Sequence, residues 1–376
     1  MSRTHCCICC SDHLKDIGVD FNLPVFQGVV SRSSPVAEDK ILPLDWHVCE
    51  NCDTVQIMNL PRIEDVYMSG HATGLGASWD GHHRAFADFI ARSAPDGTKL
   101  LDVGGGNLVL VSHLRRTGHN FDLAVLDPNP RTDSDYKTYR GFLDAAFIAT
   151  NDHDTFIFSH VFEHLYAPRD ILERLDASAS GPHAIYLAWP SFEDWVESGI
   201  SGAINFEHNF FASSANLEAL FSQYGYHCIE SEYYPHNMCR FYRFERARAM
   251  PKLPFSSSRR NRSAVTRFYS ELKRKAGLIN ERLSHSVKPT FLAPASVYAQ
   301  SLIHAGLDSS RLSGLLDASP GKIGQRLYGT GLTVFSPEQV LRSGTAPNVV
   351  LNAGFHNDEI RNGYLALNKD VTFIEI

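Results

Sequence analysis

The stretch KLLDVGGGNLVLVSHLRRTG, residues 99–118, decides the fold class of this chain. Its first apolar run predicts a buried strand, the glycines predict a tight turn, and the apolar spacing that follows predicts a helix. Asp102, Gly104 and Gly106 form a D-x-G-x-G pattern, in which missing side chains let the backbone approach a ligand at the carboxyl end of a parallel strand. The stretch therefore predicts the first βαβ unit of an α/β domain.

The next apolar run, FDLAVLDPNP at residues 121–130, predicts a second strand with Asp127 at its end. A carboxylate in this position can accept hydrogen bonds from both hydroxyls of a ribose. The glycine turn and this acid together predict an adenosine-binding site, and up to this point the pattern also fits NAD.

The segment HDTFIFSHVFEHLYAPRDILERL, residues 153–175, predicts a third buried strand over Thr155–Ser159, then a polar turn and a helix. His160, Glu163 and His164 resemble the segment that follows the adenine-binding loop in class I S-adenosylmethionine-dependent methyltransferases. AIYLAWPSF, residues 184–192, predicts the next strand, and a helix and two more strands are predicted before residue 250. This order of elements matches the class I topology.

Six of the eight cysteines lie within the first 52 residues. They form three C-x-x-C pairs: Cys6 with Cys9, Cys7 with Cys10, and Cys49 with Cys52. Two such turns facing each other supply the four thiolates of a closed, structural zinc site, and a cytosolic setting argues against disulfides. Spacing alone leaves open which cysteines of the first group are ligands, and buried free cysteines or redox chemistry are the alternatives.

The carboxy-terminal part predicts a connector and a second α/β unit. Residues 251–290 contain ten Lys or Arg and two Glu, which is typical of a solvated helix between domains or of a surface that attracts a diphosphate. PTFLAPASVYAQSLIHAGL, residues 289–307, predicts strand, turn and helix. Pro294 in that turn has no N–H for a phosphate, so no second dinucleotide is expected there.

Composition places the chain among globular proteins of two or three domains, with 376 residues, 43% hydrophobic and 20% charged. The net charge of −7 opposes binding to nucleic acid or to an anionic membrane. The sequence shows no apolar run long enough to span a bilayer and no signal-peptide core, so we expect a cytoplasmic protein, either monomer or homodimer. The predicted units are a zinc-binding module (1–65), a methyltransferase domain (66–250), a basic helical connector (251–290) and a Rossmann-like domain (291–376).

Together these motifs resemble the zinc-containing sugar C-methyltransferases, which act on nucleotide-linked keto-deoxysugars, and the resemblance covers nearly the whole chain. Besides the cysteine pairs and the LDVGGGN turn it rests on four segments: HVFEHL, E-H-x-x-F-x-S from Glu207, P-H-x-x-x-R with His236 and Arg240, and D-x-S-P-x-K-x-G-x-x-x-x-G over Asp317–Gly329. The sequence departs from the family pattern at Asn205, in place of a tyrosine, and at Asn237 and Met238, in place of two glycines. The spacing is a further departure where the single residue Ala212 separates Phe211 from Ser213.

The resemblance implies S-adenosylmethionine as cofactor, structural zinc and a nucleotide-linked sugar as substrate. It selects Cys6, Cys9, Cys49 and Cys52 as zinc ligands. For the cofactor it implies contacts from Asp102, Gly104, Gly106, Asp127, Phe142 and His160. For the substrate it implies contacts from His236 and Arg240. Tyr67 lies in a segment, residues 66–82, that in the family passes over the cofactor site.

Methylation of carbon requires a carbanion equivalent, which a neighbouring keto group stabilises as an enolate. His208 is the first candidate for the base that removes the α-proton, with Glu207 holding its tautomer. His164 is the second candidate, or a hydrogen-bond donor to the enolate oxygen, and Tyr67 assists. Two other functions remain open: O- or N-methylation of an amino-sugar, which needs no enolate, and a non-catalytic nucleotide-sugar-binding scaffold.

Overall fold

The computed structural model describes residues 2–68, 76–131, 135–178, 182–343 and 346–374. The predicted segment over the cofactor site is therefore seen only in part, since residues 69–75 lie outside the described ranges. Among the described helices, none combines the length and the apolarity needed to cross a bilayer.

A mixed sheet of seven strands forms the centre of the described chain. Its strands, in spatial order, are Tyr226–Tyr234, Cys239–Arg246, Ala184–Pro190, Thr155–Ser159, Lys99–Val103, Asp122–Asp127 and Lys137–Arg140. The last five of these are mutually parallel, whereas Cys239–Arg246 runs antiparallel to both of its neighbours. This α/β arrangement is class I methyltransferase-like, and it confirms the strands and the chain order that the sequence predicts.

Helices cover both faces of this sheet because side chains alternate across each strand. Leu100, Ile157 and Tyr186 pack on one side, where the helices Ala77–Ala91 and Val109–Arg116 lie. Leu101, Phe156 and their neighbours face the other side. The helices on that side are Ala145–Thr150, Pro168–Ala177 and Ser214–Gln223.

One predicted helix begins later than expected. The resemblance treats HVFEHL as the start of this helix, but Phe162–His164 is a single 3-10 turn and the α-helix begins at Pro168. Proline at the first helical position has no N–H to leave unpaired, so it favours a start there. The shift leaves Glu163 and His164 on a connecting segment at the edge of the sheet.

The amino-terminal region forms a small four-stranded sheet that is not built from that region alone. Its strands, in spatial order, are Leu14–Asp16, Trp46–Cys49, Val55–Ile57 and Phe210–Phe211. The fourth strand comes from the middle of the chain and pairs antiparallel with the third. This pairing, which the sequence did not predict, ties the cysteine-rich region to the segment that contains His208.

A second sheet, of five parallel strands, lies in the carboxy-terminal part of the described chain. In spatial order its strands are Val334–Phe335, Gly314–Leu316, Thr290–Ala293, Asn348–Leu351 and Thr372–Ile374. Its helices are Val297–His304, Pro337–Leu341 and Asn357–Leu367.

The amino-terminal region also contacts this carboxy-terminal unit. Val29–Val30 pairs with Arg326–Leu327, and Asn22–Pro24 pairs with Ile41–Pro43. The guanidinium of Arg326 donates to both carboxylate oxygens of Asp39, at 2.6 and 2.9 Å, and both side chains are buried. A buried, bidentate pair of this kind fixes the orientation of the two segments.

The basic connector forms the long helix Asn261–Ser284. Its apolar residues, among them Phe268 and Leu272, are buried in a core that all three regions share, while Arg262 and Lys273 are exposed. The helix is therefore amphipathic, with a solvated basic face. Its attraction for a diphosphate stays a prediction. Two further short helices, Ile63–Val66 and Phe192–Glu197, complete the described α-helices.

Candidate active site

The glycine-rich turn follows the central strand Lys99–Val103. Gly104 has a φ of 79°, in the left-handed region, and a Cβ there would lie 2.5 Å from Cγ2 of Val161. A Cβ on Gly106 would lie 2.5 Å from the carboxyl carbon of Asp127. The turn requires glycine at both positions, because any side chain would displace the neighbouring groups.

Asp127, the last residue of its strand, is held against this turn. Its Oδ2 accepts a hydrogen bond from the N–H of Gly106 at 3.2 Å, and its Oδ1 accepts one from the N–H of Asn129 at 2.6 Å. Asp102 is buried beneath the turn, where burial, followed by the charge of Asp127, raises its pKa to about 8. The structure thus brings Asp102, Gly104, Gly106 and Asp127 together, and their contact with a cofactor stays a prediction.

Phe142 lies at the edge of this group. It follows the strand Lys137–Arg140, and its side chain is 57% exposed, which is unusual for a large apolar ring. The preceding residue, Gly141, donates its N–H to the carbonyl oxygen of Asp127 at 3.0 Å. The exposed ring of Phe142 is available to a planar ligand.

His164 and His208 face each other beside Tyr67. Their ring centroids are 5.0 Å apart and the ring planes are nearly perpendicular, at 82°. The hydroxyl oxygen of Tyr67 lies 2.6 Å from Nδ1 of His164. The structure therefore gathers three of the predicted catalytic side chains, although they lie far apart in the sequence.

Asn205 shapes the turn that presents His208. Its Oδ1 accepts hydrogen bonds from the N–H groups of Glu207 at 2.7 Å and His208 at 2.9 Å, and its Nδ2 donates to the carbonyl oxygen of Gly202 at 2.9 Å. The side chain is buried. The departure from tyrosine at this position thus has a structural role, because the carboxamide satisfies both of these N–H groups.

Two further departures lie on the turn before the strand Cys239–Arg246. Met238 has a φ of 50°, in the left-handed region that favours the glycine expected from the resemblance. The carbonyl oxygen of Asn237 accepts a hydrogen bond from Nε1 of Trp195 at 2.9 Å. The turn therefore keeps a glycine-like conformation without glycine.

The tautomer of His208 is set by a backbone carbonyl. Nδ1 of His208 lies 3.1 Å from the carbonyl oxygen of Ala203. Because a carbonyl only accepts, Nδ1 carries a proton and Nε2 is the basic nitrogen. The sequence predicts Glu207 in this role, but the carbonyl oxygen of Ala203 is the group that Nδ1 contacts, and a contribution of Glu207 stays a prediction. Burial lowers the pKa of His208, and the charges of Glu163 and Glu207 oppose that effect.

Tyr67 is half-buried, and its hydroxyl keeps its proton. Burial raises its pKa well above 10, and the charge of Glu207 adds to the effect. A protonated hydroxyl can donate to Nδ1 of His164, which then carries its own proton on Nε2. Tyr67 and His164 together form a hydrogen-bond donor pair.

Glu163 is a buried carboxylate close to three histidines, and the sequence did not predict a role for it. Its side chain is fully buried, and its Oε1 lies 3.2 Å from Nδ1 of His160. Glu163, His164 and His208 each direct one potential ligand atom into a group that spans no more than 4.8 Å. Its place between two histidines in HVFEHL is the sequence signal for it.

The two predicted substrate residues lie elsewhere. His236 is exposed on the 3-10 turn Pro235–Asn237. Arg240 lies over the ring of Tyr233 and lines a separate pocket that also contains Asp194. Neither side chain is among those gathered around His208, so their contact with substrate stays a prediction.

The cysteines form a compact four-sulfur group. The sulfur of Cys6 lies 3.6 Å from that of Cys52, and the sulfur of Cys9 lies 3.5 Å from that of Cys49. Sulfurs on one tetrahedral zinc ion with bonds of about 2.3 Å stand about 3.8 Å apart, so the group fits zinc. Cys7 and Cys10 lie outside this group.

Residues 79–231 match the family model for a methyltransferase domain. That span contains the glycine turn, Asp127 and both facing histidines. The chain therefore contains a methyltransferase domain over these residues.

Similarity to solved structures is weak. A chain from the complex between the Haloferax volcanii Trm112 methyltransferase activator and a methyltransferase is 15% identical with a TM-score of 0.36, over 45% of this chain and 96% of that chain. Magnesium protoporphyrin IX methyltransferase from Synechocystis PCC 6803 with bound SAH is 13% identical with a TM-score of 0.35, over 45% of this chain and 84% of that chain. Among curated proteins, none matches the sequence.

Proposed function

We propose that the protein is an S-adenosylmethionine-dependent C-methyltransferase that acts on a nucleotide-linked keto-deoxysugar through an enolate. The observation that carries this proposal is the arrangement of Tyr67, His164 and His208. Removal of an α-proton needs a base on one side and a hydrogen-bond donor for the developing oxyanion on the other. The sequence resemblance supplies the substrate class.

The cofactor would lie across the glycine turn, with its ribose hydroxyls on Asp127 and its adenine near Phe142. Gly104 and Gly106 leave room for the backbone to approach it. Bound S-adenosylmethionine would supply the methyl group from its sulfonium. Side chains of the protein would supply the base and the hydrogen-bond donors for the reaction.

His208 is proposed as the general base. Its Nε2 carries the lone pair, because Nδ1 is committed to the carbonyl oxygen of Ala203. The base would take the proton from the carbon beside the keto group, and that carbon would then attack the methyl carbon as the sulfur–methyl bond breaks. The proton stays on His208 until solvent removes it.

His164 and Tyr67 are proposed to stabilise the enolate oxygen. The hydroxyl of Tyr67 fixes the ring of His164 through the contact at 2.6 Å. A donor held in place before the reaction costs no reorganisation when the charge develops. Glu163 and Glu207 would compensate the positive charge that forms on His208.

Replacement of Asp127 by alanine is expected to weaken S-adenosylmethionine binding about tenfold or more, since charge-assisted contacts of about 1.5–3 kcal/mol are lost. Calorimetry measures the change, and NAD should not compete. Asp122→Ala, at the exposed opposite end of the same strand, is the matched control. Tight NAD binding without S-adenosylmethionine binding would overturn the cofactor assignment.

The acid limb of kcat/KM is expected to lie below pH 6.5, the ordinary pKa of histidine. The base must be neutral, so activity falls as the pH drops through the lowered pKa of His208. Because the negative charge of Glu207 raises that pKa, Glu207→Gln should move the limb to still lower pH. A limb above pH 6.5, or one that moves up in this variant, contradicts the assignment of the base.

The function itself is tested with a panel of nucleotide-linked 4-keto sugars in deuterated buffer. Mass spectrometry of the product should show one added methyl group on carbon, and unreacted substrate should gain deuterium at that carbon. A methyl group on oxygen or nitrogen without deuterium uptake would favour the alternative methyltransferase. If the protein neither binds nor turns over S-adenosylmethionine, only the scaffold function remains.

Zinc is proposed as a structural ion on Cys6, Cys9, Cys49 and Cys52. Three of these cysteines are buried, and their side chains pack on the core of the central sheet. Four thiolates leave no open coordination position, so this ion would stabilise the fold and take no part in the reaction.

A further inference from the structure

A second set of metal-binding side chains lies outside the cysteine group. It consists of His82 on the helix Ala77–Ala91, His160 directly after the strand Thr155–Ser159, and Cys239 at the start of its strand. Each offers one ligand atom, and the three atoms lie within 4.8 Å of one another. Three distant parts of the chain thus converge on one point.

The measured separation fits coordination of a single ion. Nδ1 of His82 lies 3.5 Å from the sulfur of Cys239. Two ligands on a tetrahedral zinc ion, with a Zn–S bond of about 2.3 Å and a Zn–N bond of about 2.0–2.1 Å, stand about 3.5 Å apart. The sulfur also lies 3.7 Å from Oδ1 of Asn237, a weak contact.

Nε2 of His160 has no hydrogen-bond partner within the described parts of the chain and is shielded from solvent. The side chain of His82 is completely buried. A buried polar atom without a partner costs about 1–3 kcal/mol, so such a group needs a ligand to account for it.

Glu163 provides the outer contact that metal-bound histidines usually have. Its Oε1 lies 3.2 Å from Nδ1 of His160. This contact is within ion-pair distance but is not a hydrogen bond, and it leaves Nε2 of His160 for the ion. Trp79 flanks the group, with its ring centroid 5.2 Å from that of His82 and 5.1 Å from that of His160.

We propose that His82, His160 and Cys239 bind a second zinc ion, with the fourth position open to water or to a ligand group. Two imidazoles and one thiolate form a donor set that suits zinc, and an open position distinguishes this site from the closed cysteine site. The site goes beyond the proposed methyl transfer, and it gives His160 a different role from the predicted cofactor contact.

The test is the zinc content of purified full-length protein, measured by elemental analysis after dialysis against buffer with limiting zinc. The wild type should hold two zinc ions per chain. Cys239→Ala and His82→Ala should each keep only the zinc ion of the cysteine group, whereas Cys49→Ser should keep only the ion of the second site. The combination of Cys239→Ala with Cys49→Ser should hold no zinc. Cys228→Ala, a half-buried cysteine on the neighbouring strand, should keep both.

Circular dichroism and the retained zinc on the cysteine group show whether each variant is folded. If the alanine variants do not fold, His160→Gln and His82→Gln, which preserve polar character and approximate size, give the same count. The second site would be overturned if all variants at these three positions still held two zinc ions. It would also be overturned if the wild type held a single zinc ion that only Cys49→Ser removes. Neither result depends on whether methyl transfer occurs.

Discussion

Replacing His208 with asparagine is expected to lower methyl transfer by about 10²–10⁴-fold, the usual contribution of a general base. Exchange of the sugar α-proton with solvent deuterium should fall by the same factor. The variant loses the basic Nε2, while an asparagine amide can still donate to the carbonyl oxygen of Ala203, so the turn should keep its shape. Binding of S-adenosylmethionine, measured by calorimetry, should not change.

His164→Asn separates the two proposed roles. Loss of a donor to the enolate oxygen should slow both proton exchange and methyl transfer by about 10²–10³-fold without a change in cofactor affinity. His285→Asn, at an exposed histidine after the connector helix, is the matched control and should behave as wild type. Full deuterium exchange in the His208 variant would remove that residue from the base role and leave His164 or Tyr67 as candidates.

Replacing Cys49 with serine is expected to remove the zinc ion from the cysteine group and to lower the free energy of unfolding by more than about 4 kcal/mol. The loss should extend beyond the amino-terminal region, because the turn after Cys49 anchors other elements. Oδ2 of Asp53 accepts a hydrogen bond from the N–H of Asn261, the first residue of the connector helix, at 3.2 Å. Elemental analysis and chemical denaturation measure the two effects.

A second anchor supports the same expectation. Nδ2 of Asn216, on the helix Ser214–Gln223, donates to the carbonyl oxygen of Cys52 at 2.6 Å. Cys10→Ser is the control from the same cysteine run, since Cys10 is exposed and lies outside the four-sulfur group. Wild-type protein without zinc on the cysteine group, or equal loss of zinc in the Cys10 variant, would contradict the structural role of the metal.

The resemblance selected the four cysteines that the structure gathers, although their spacing left Cys7 and Cys10 as alternatives. The distinction depends on which way each sulfur points from the tight turn. Cys10 has a φ of 61° and is exposed, whereas Cys6 is almost fully buried. The C-x-x-C spacing predicts a tight turn for both pairs, Cys6/Cys9 and Cys7/Cys10. Only packing on the core determines which pair directs its sulfurs towards Cys49 and Cys52.

The sequence by itself determined the elements that depend on neighbouring residues. Apolar runs predicted strands such as Lys99–Val103 and Thr155–Ser159, because burial of alternate or consecutive apolar side chains is a local pattern. The glycine turn was equally local, since a left-handed φ and the absence of a side chain are properties of one residue. The order of these elements was enough to predict the α/β fold class.

Only the tertiary structure decided the contacts between residues that are distant along the chain. It showed that Phe210–Phe211 completes the amino-terminal sheet, and that Tyr67 and His208 meet at His164. No local pattern encodes these contacts, because each depends on chain segments that meet only after the sheet and its helices have packed. For the same physical reason the convergence of His82, His160 and Cys239 is invisible in the sequence, where more than 70 residues separate each from the next.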